Sequence, residues 1–335
     1  MKAVQCHAPA SLENLRLVDL PEPAPPAAGQ ITVRIEAGSL NFHDYAVVTG
    51  RLPTVSDRIP LSDGAGRVVA IGDGVTDFTI GDLATSLFFP LWVDGRLSAI
   101  ASTQVPGDGL DGYACEAVTV PADWFTRAPR NYTASQAATL PCAAVTAWRA
   151  LVVNGRLKAG ESVLVLGSGG VSVFALQLAK AMGANVIATT SSSEKAERLL
   201  ALGAKHVVNY RRTPDWGDEV LKLTNGQGVD HVVEIGGAGT LAQSIVASRR
   251  GGHIAMVGVL AGLAGPVNTA MIMRKQLRIE GLTVGSRKHQ LDLIDAIERL
   301  GIQPVIDTSF PLAELATAFR YQECGKHLGK IVVEL

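Results

Sequence analysis

The residues with the clearest chemical consequence lie where an apolar run, Ser162-Val163-Leu164-Val165-Leu166, gives way to Gly167-Ser168-Gly169-Gly170-Val171-Ser172 and then to an apolar helical stretch, Val173–Met182. A strand that turns through glycines into a helix presents unpaired N–H groups and the positive end of the helix dipole, and together these bind phosphate. Gly167 suits the tight turn and Gly169 lets the backbone approach a pyrophosphate, while Ser172 stands where close helix packing usually takes glycine. The chemistry that fits is dinucleotide binding by Gly167, Ser168, Gly169, Gly170 and Val171. The next apolar run ends Ala188-Thr189-Thr190-Ser191-Ser192-Ser193, with no Asp or Glu to hold the ribose hydroxyls and repel a 2′-phosphate. The hydroxyls of Ser191 and Ser192, with Lys195 just beyond, favour NADP(H) over NAD. The same serines also suit the cap of a helix starting near Glu194.

A turn of this kind needs rigid elements on either side. From about Pro129 the chain alternates strands (NVIATT, HVVNY, DHVVEIG, HIAMVG, LRIEGLTV) with helices such as FALQLAKAMG and EKAERLLALG. Continuous Val/Ile runs suit parallel strands covered on both faces, which predicts an α/β fold with a doubly wound parallel sheet. Before that point, short alternating runs (ITVRIEAGSL, GRVVAIG, ACEAVTV) broken by Pro and Gly predict an irregular antiparallel domain, and the tail predicts two helices and a last strand, GKIVVEL. With 335 residues, 47% hydrophobic and 18% charged, the chain can bury two cores. A net charge of -1 without a basic stripe argues against nucleic-acid or anionic-membrane partners. No continuous apolar run of membrane-span length and no signal-like h-region is visible, so a cytoplasmic protein with reduced thiols is expected; Cys6, Cys115, Cys142 and Cys324 form no CxxC pair.

Several stretches, in order, resemble the medium-chain dehydrogenase/reductase superfamily over essentially the whole chain: Ser39-Leu-Asn-Phe-His-Asp44, Asp63-Gly-Ala-Gly66, Leu140-Pro-Cys-Ala-Ala-Val-Thr146-Ala-Trp148, the glycine turn, Thr224-Asn-Gly-Gln-Gly-Val-Asp230 and His327-Leu-Gly-Lys-Ile331. Within it the chain is similar to the zinc-independent quinone oxidoreductase branch and its alcohol-dehydrogenase-like neighbours. The resemblance implies a Rossmann domain over residues 128–286, flanked by a GroES-like β-rich catalytic domain made from residues 1–127 and 287–335. It also implies that Asn41 sits near the nicotinamide, that Thr146 touches its face, that Lys195 and Tyr210 hold the 2′-phosphate, and that Lys330 lies near the pyrophosphate.

Zinc-containing relatives carry a Cys at the position of Asn41, a His-Glu pair at Ser62-Asp63 and a Cys at Cys142, of which this chain keeps only the last. A catalytic zinc takes three protein ligands, so no metal is expected. Without a Lewis acid, oxidation of a simple alcohol is harder, whereas an enone or quinone delocalises the charge that hydride delivers and needs only hydrogen-bond donors. Asn41, His43 and Tyr45 are the catalytic candidates: Tyr45 as an oxyanion donor, although the family tyrosine falls at Ala46, and His43 where zinc enzymes place a relay hydroxyl. Phe88, Phe89 and Trp92 suit either the wall of an apolar substrate pocket or core packing.

Three functions remain open. The leading one is NADPH-dependent, metal-independent reduction of an apolar enone, alkenal or quinone. The others are an alcohol dehydrogenase or carbonyl reductase of the same superfamily, favoured by a turn after Leu166 one residue shorter than quinone oxidoreductases carry, and a non-catalytic NADPH-binding protein. The last parallel strand, LRIEGLTV, is a long apolar edge that the family pairs with its two-fold mate, which predicts a homodimer testable by light scattering.

Overall fold

The computed structural model describes residues 1–335, in two compact units: residues 1–145 with 284–335, and residues 146–283. Residues 128–145, placed by the resemblance in the Rossmann domain, belong to the first unit. They are tied there by Thr85 Oγ1 donating to Ala137 O at 2.9 Å and Cys142 N donating to an Asp63 carboxylate oxygen at 3.3 Å.

The second unit is a six-stranded, all-parallel sheet. Its order is His206–Asn209, Asn185–Thr190, Ser162–Val165, Val229–Glu234, Ser248–Met256 and Arg278–Gly281. Each expected strand is present, and the strand from Ser162 is central with Val163, Leu164 and Val165 fully buried. A strand covered on both faces has no polar side to alternate with, which is why these runs read as continuous Val/Leu. Arg278–Gly281 ends the sheet, as expected of the LRIEGLTV edge.

The first unit holds a seven-stranded sheet in which Gln30–Ser39 is the hub, pairing with Asp63–Ile71, Ala117–Pro121 and Lys330–Glu334. In Gln30–Ser39 the residues Ile31, Val33 and Ile35 are buried while Arg34 and Glu36 face out, the period-two pattern of a strand with one wet face. Lys330–Glu334 lies between that hub and a further strand, Ile306–Pro311, which the sequence pattern did not announce. The two expected tail helices are Arg287–Leu300 and Leu315–Glu323. One helical run, Ala134–Asn154, is long and apolar enough by length and composition to cross a bilayer, but its most apolar window is 67% buried within the protein, as in a core helix.

Candidate functional site

In the second unit the glycine turn has the geometry its sequence implies. Gly167 has a φ of +72°, a left-handed conformation that a side chain would strain. A side chain begun at Gly169 would meet no atom within 4 Å, so the backbone there faces open space that a pyrophosphate can enter. The helix Gly170–Ala181 starts immediately and no side chain caps it, leaving its first N–H groups to a ligand. Ser172 replaces the packing glycine without penalty: it is fully buried and its hydroxyl donates to Leu166 O at 2.6 Å, pinning the helix to the end of the strand. Gly167 N donates to Thr189 Oγ1 at 3.1 Å, which joins the turn to the neighbouring strand.

Ser191, Ser192, Lys195 and Tyr210 gather at one end of the sheet. Ser192 caps Ser193–Ala201 by accepting from Lys195 N at 3.3 Å, as the alternative reading of the serines expects. Tyr210 N donates to Thr190 O at 3.0 Å, which sets the 41%-exposed tyrosine beside the end of Asn185–Thr190. Thr146 is buried.

In the first unit, chain-distant residues form a closed polar cluster. Asn41 precedes the short helix Phe42–Val48. Its N–H donates to Asp44 Oδ2 at 2.9 Å, and Ser62 N donates to Asp44 Oδ1 at 2.8 Å, so Asp44 clamps the two segments together. Asn41 Nδ2 donates to Ser62 Oγ at 3.1 Å, while Asn41 Oδ1 accepts from the Lys330 ammonium, which also donates to Leu40 O at 2.7 Å. Lys330, expected near the pyrophosphate, is thus 4% exposed with its charge committed inside this cluster. Asp63 is fully buried; one oxygen accepts from Cys142 N and the other, Oδ1, has no partner. Burial pushes its carboxyl up to about 7, helped by Asp44 and opposed by Lys330, Asn41 and the Cys142 N–H. Burial, with Asp63 and Asp44, likewise holds the Cys142 thiol well above its ordinary value, so it is a thiol and not a thiolate at neutral pH.

The other catalytic candidates are engaged elsewhere. Tyr45 donates its O–H to Glu323 at 2.6 Å, and that bond, then burial, raises the hydroxyl's pKa. The Arg51 guanidinium lies 5.0 Å from the centre of the Tyr45 ring. The hydroxyl proton that an oxyanion would need is therefore held by a carboxylate. His43 Nε2 lies 3.5 Å from Asp108 Oδ2, and its ring packs edge-on against Phe88 at 5.3 Å. Phe88, Phe89 and Trp92 stack edge to face at 4.8 and 6.0 Å and are buried, so they pack as core. Sequence reasoning missed Lys330 as Asn41's partner, and missed Asp108 and Glu323 altogether. Only the proximity of Lys330 to a family-like Gly-Lys pattern marked any of the three, and it suggested a different role.

Residues 27–130 match the family model described as alcohol dehydrogenase GroES-like domain, and residues 170–301 match the one described as zinc-binding dehydrogenase. A zinc-type alcohol dehydrogenase-like protein of Schizosaccharomyces pombe is 40% identical over 315 residues, covering 92% of this chain and 91% of its own. The chain belongs to the medium-chain dehydrogenase/reductase superfamily. It is an oxidoreductase of that family, and its two units are the GroES-like domain and the Rossmann-like sheet. A solved, provisionally named alcohol dehydrogenase of Sinorhizobium meliloti 1021 is 39% identical with a TM-score of 0.91 (100% of this chain, 99% of the other), and a solved NAD-dependent alcohol dehydrogenase is 34% identical with a TM-score of 0.91, covering 100% of both. Similar at 27% identity and a TM-score of 0.83 are a quinone oxidoreductase of Pseudomonas syringae pv. tomato DC3000 (100% and 99% covered) and a mycobacterial protein solved with NADPH (100% of both). The chain also matches mycobacterial polyketide synthases at 30% identity, spanning 15% of their length.

One family model is named for zinc, and the cluster provides a test of fit. The positions that hold ligands in zinc relatives carry Asn41, Ser62 and Cys142, joined by Asp63 and by an ammonium group. The thiol is held protonated, and nowhere in the chain do three His, Cys, Asp or Glu side chains come together to hold a metal ion. These residues do not fit zinc.

Proposed function

We propose that this chain reduces an activated carbon–carbon double bond or a quinone by hydride transfer from NADPH, without a metal ion. The observation that carries the reading is the cluster of buried Asn41, Ser62, Asp63 and Lys330 with half-buried Cys142, where a fixed ammonium stands among side chains that make a poor zinc site. Substrates whose reduced form delocalises its own negative charge fit such a protein, because they do without a Lewis acid.

NADPH, when bound, supplies the hydride. The chain's own part would be to hold it: the uncapped helix start at Gly170 would receive the pyrophosphate, and Ser191, Lys195 and Tyr210 would hold the 2′-phosphate, with no carboxylate at the strand end to repel it. The NADPH-bound and quinone oxidoreductase neighbours support this reading, and the NAD-dependent neighbour marks the alternative cofactor. A second reading, oxidoreduction of a plain alcohol or carbonyl, is favoured by the His43–Asp108 pair, which could carry a hydroxyl proton.

The test is NADPH consumption by chelator-treated protein, with NADH as control, across 1,2-naphthoquinone, 2-alkenals, enones and plain ketones. Turnover on quinones or enones that prefers NADPH and ignores chelator is expected. Turnover confined to plain ketones, or dependent on added zinc, overturns the proposal.

A further inference from the structure

Glu234 ends the strand Val229–Glu234, next to the strand that carries the glycine turn, and its side chain is completely buried. Gly236 N and Gly237 N donate to Oε1 at 2.7 and 3.1 Å, the Thr240 hydroxyl donates to the same oxygen at 2.5 Å, and the Ser244 hydroxyl donates to Oε2. A buried carboxylate surrounded by four neutral donors costs too much to be a packing accident, since each oxygen had to be matched to a specific segment.

Those donors belong to the segment that leaves the strand, and the same residue's backbone ties down the exit of the next strand. Glu234 O accepts from Val257 N at 2.8 Å, Ile235 O from Leu260 N at 3.1 Å, Gly236 O from Ala261 N at 2.7 Å, and Gly262 O from Ala238 N at 3.1 Å. The two exits, residues 235–239 and 257–262, are therefore laced into one surface of backbone. Glycine permits the approach: a side chain on Gly239 would begin 2.4 Å from Ala261 O, and one on Gly258 would begin 2.6 Å from Ile235 O. The surface borders the cofactor turn, because Ile235 Cδ1 lies 3.5 Å from where a side chain on Gly167 would start.

A dinucleotide crosses such a sheet at its carboxyl ends, with the pyrophosphate on the first helix and its two nucleosides on opposite sides. Here the residues proposed for the 2′-phosphate lie beyond Asn185–Thr190, on one side of the turn, so the other half of the cofactor would extend over the exits of Val229–Glu234 and Ser248–Met256. We propose that Glu234 is a positioning residue for the nicotinamide half of the cofactor: it touches no substrate, but fixes the backbone surface on which that half rests. The proposal rests on the nicotinamide-cofactor reading above.

Binding of four ligands to wild-type protein and to Glu234→Gln tests it: NADPH and NADH, which have the nicotinamide, against 2′-phospho-ADP-ribose and ADP-ribose, which lack it. The glutamine is isosteric but has one acceptor oxygen fewer: an NH2 turned toward Gly236 and Gly237 meets N–H groups that can only donate, and one turned toward Ser244 reverses that hydroxyl from donor to acceptor. Weakening of the preferred dinucleotide by about 10-fold or more is expected, with its nicotinamide-free counterpart changed less than about 2-fold. Thr240→Val, which removes a single donor, should show the same selectivity to a smaller degree and serves if Glu234→Gln does not fold. Equal losses for both ligands, or no loss, overturn the role of Glu234. A wild-type preference for NADH with the selective loss intact overturns only the NADPH reading, and wild-type binding of none of the four overturns both.

Discussion

Two carboxylates, one in each unit, are fully buried and kept out of water by different means. Asp63 has a charged neighbour in Lys330, a weak backbone contact at 3.3 Å and one oxygen with no partner. Glu234 has no ion pair and four well-placed neutral donors. Around Asp63 an opposite charge offsets only part of the cost of burial, and around Glu234 the groups that answer burial are dipoles. The first solution concentrates the load on one residue, and the second spreads it over four.

Removing the ammonium is the most direct way to break that comparison. Lys330→Met would leave the buried Asn41 Oδ1 and Leu40 O without their donor and Asp63 without its neighbouring positive charge, and loss of about 3–5 kcal/mol of stability is expected. Urea unfolding checks it; a loss under 1 kcal/mol would show that the cluster does not depend on the charge.

Acid sharpens the contrast by acting on the units in opposite directions. In the second unit His231 and His253 are buried side by side, their Nδ1 atoms 3.4 Å apart, with His231 Nε2 3.0 Å from Glu161 and His253 Nε2 3.9 Å from Glu280. Burial, then Arg278 and His231, lowers His253 from 6.5 to about 4. A base whose folded pKa is depressed binds fewer protons folded than unfolded. Its contribution is therefore intact above pH 6.5 and drains away as pH falls toward 4. Asp63, an acid raised from 3.8 to about 7, runs the other way: its contribution is complete below 3.8 and is lost as pH rises through 7. His253→Gln should remove about 2 kcal/mol of the second unit's stability loss between pH 6.5 and 4, read by amide exchange in residues 229–256. An unchanged pH slope in those residues would contradict it.

The smallest expected effect comes from Ser244→Ala, which removes one of the four donors to Glu234 and should cost about 1 kcal/mol in the same unfolding assay. If it costs as much as Lys330→Met, the load on Glu234 is not shared and the contrast between the units fails.

The second unit was largely legible in the sequence because its information is local. A Val/Leu run, two glycines and a helix specify the turn within a dozen residues, and the doubly wound sheet follows from repeating that unit. Ser192 was legible as a helix cap for the same reason. The first unit's site was not, since it is made of contacts between residues hundreds of positions apart: Lys330 reaches Asn41, and Tyr45 reaches Glu323. No periodicity reports such a pairing, and the family resemblance directed Lys330 to the pyrophosphate. Glu234 lay between these cases. Its place at a strand end was readable, but its burial depends on Thr240 and Ser244 folding back over it.

The position of the last strand has a consequence for how the protein is made. Lys330–Glu334 is an interior strand, lying between Ile306–Pro311 and Gln30–Ser39. A ribosome adding about 5–20 residues each second needs roughly 15–60 s to go from one partner to the other. Throughout that interval the nascent Gln30–Ser39 has an unfilled edge, while the whole Rossmann-like unit, encoded in between, emerges with all its own strands. Synthesis thus completes the Rossmann-like unit first, and a chain stopped short of Lys330 would lack both the strand that fills its other sheet and the ammonium that this strand carries.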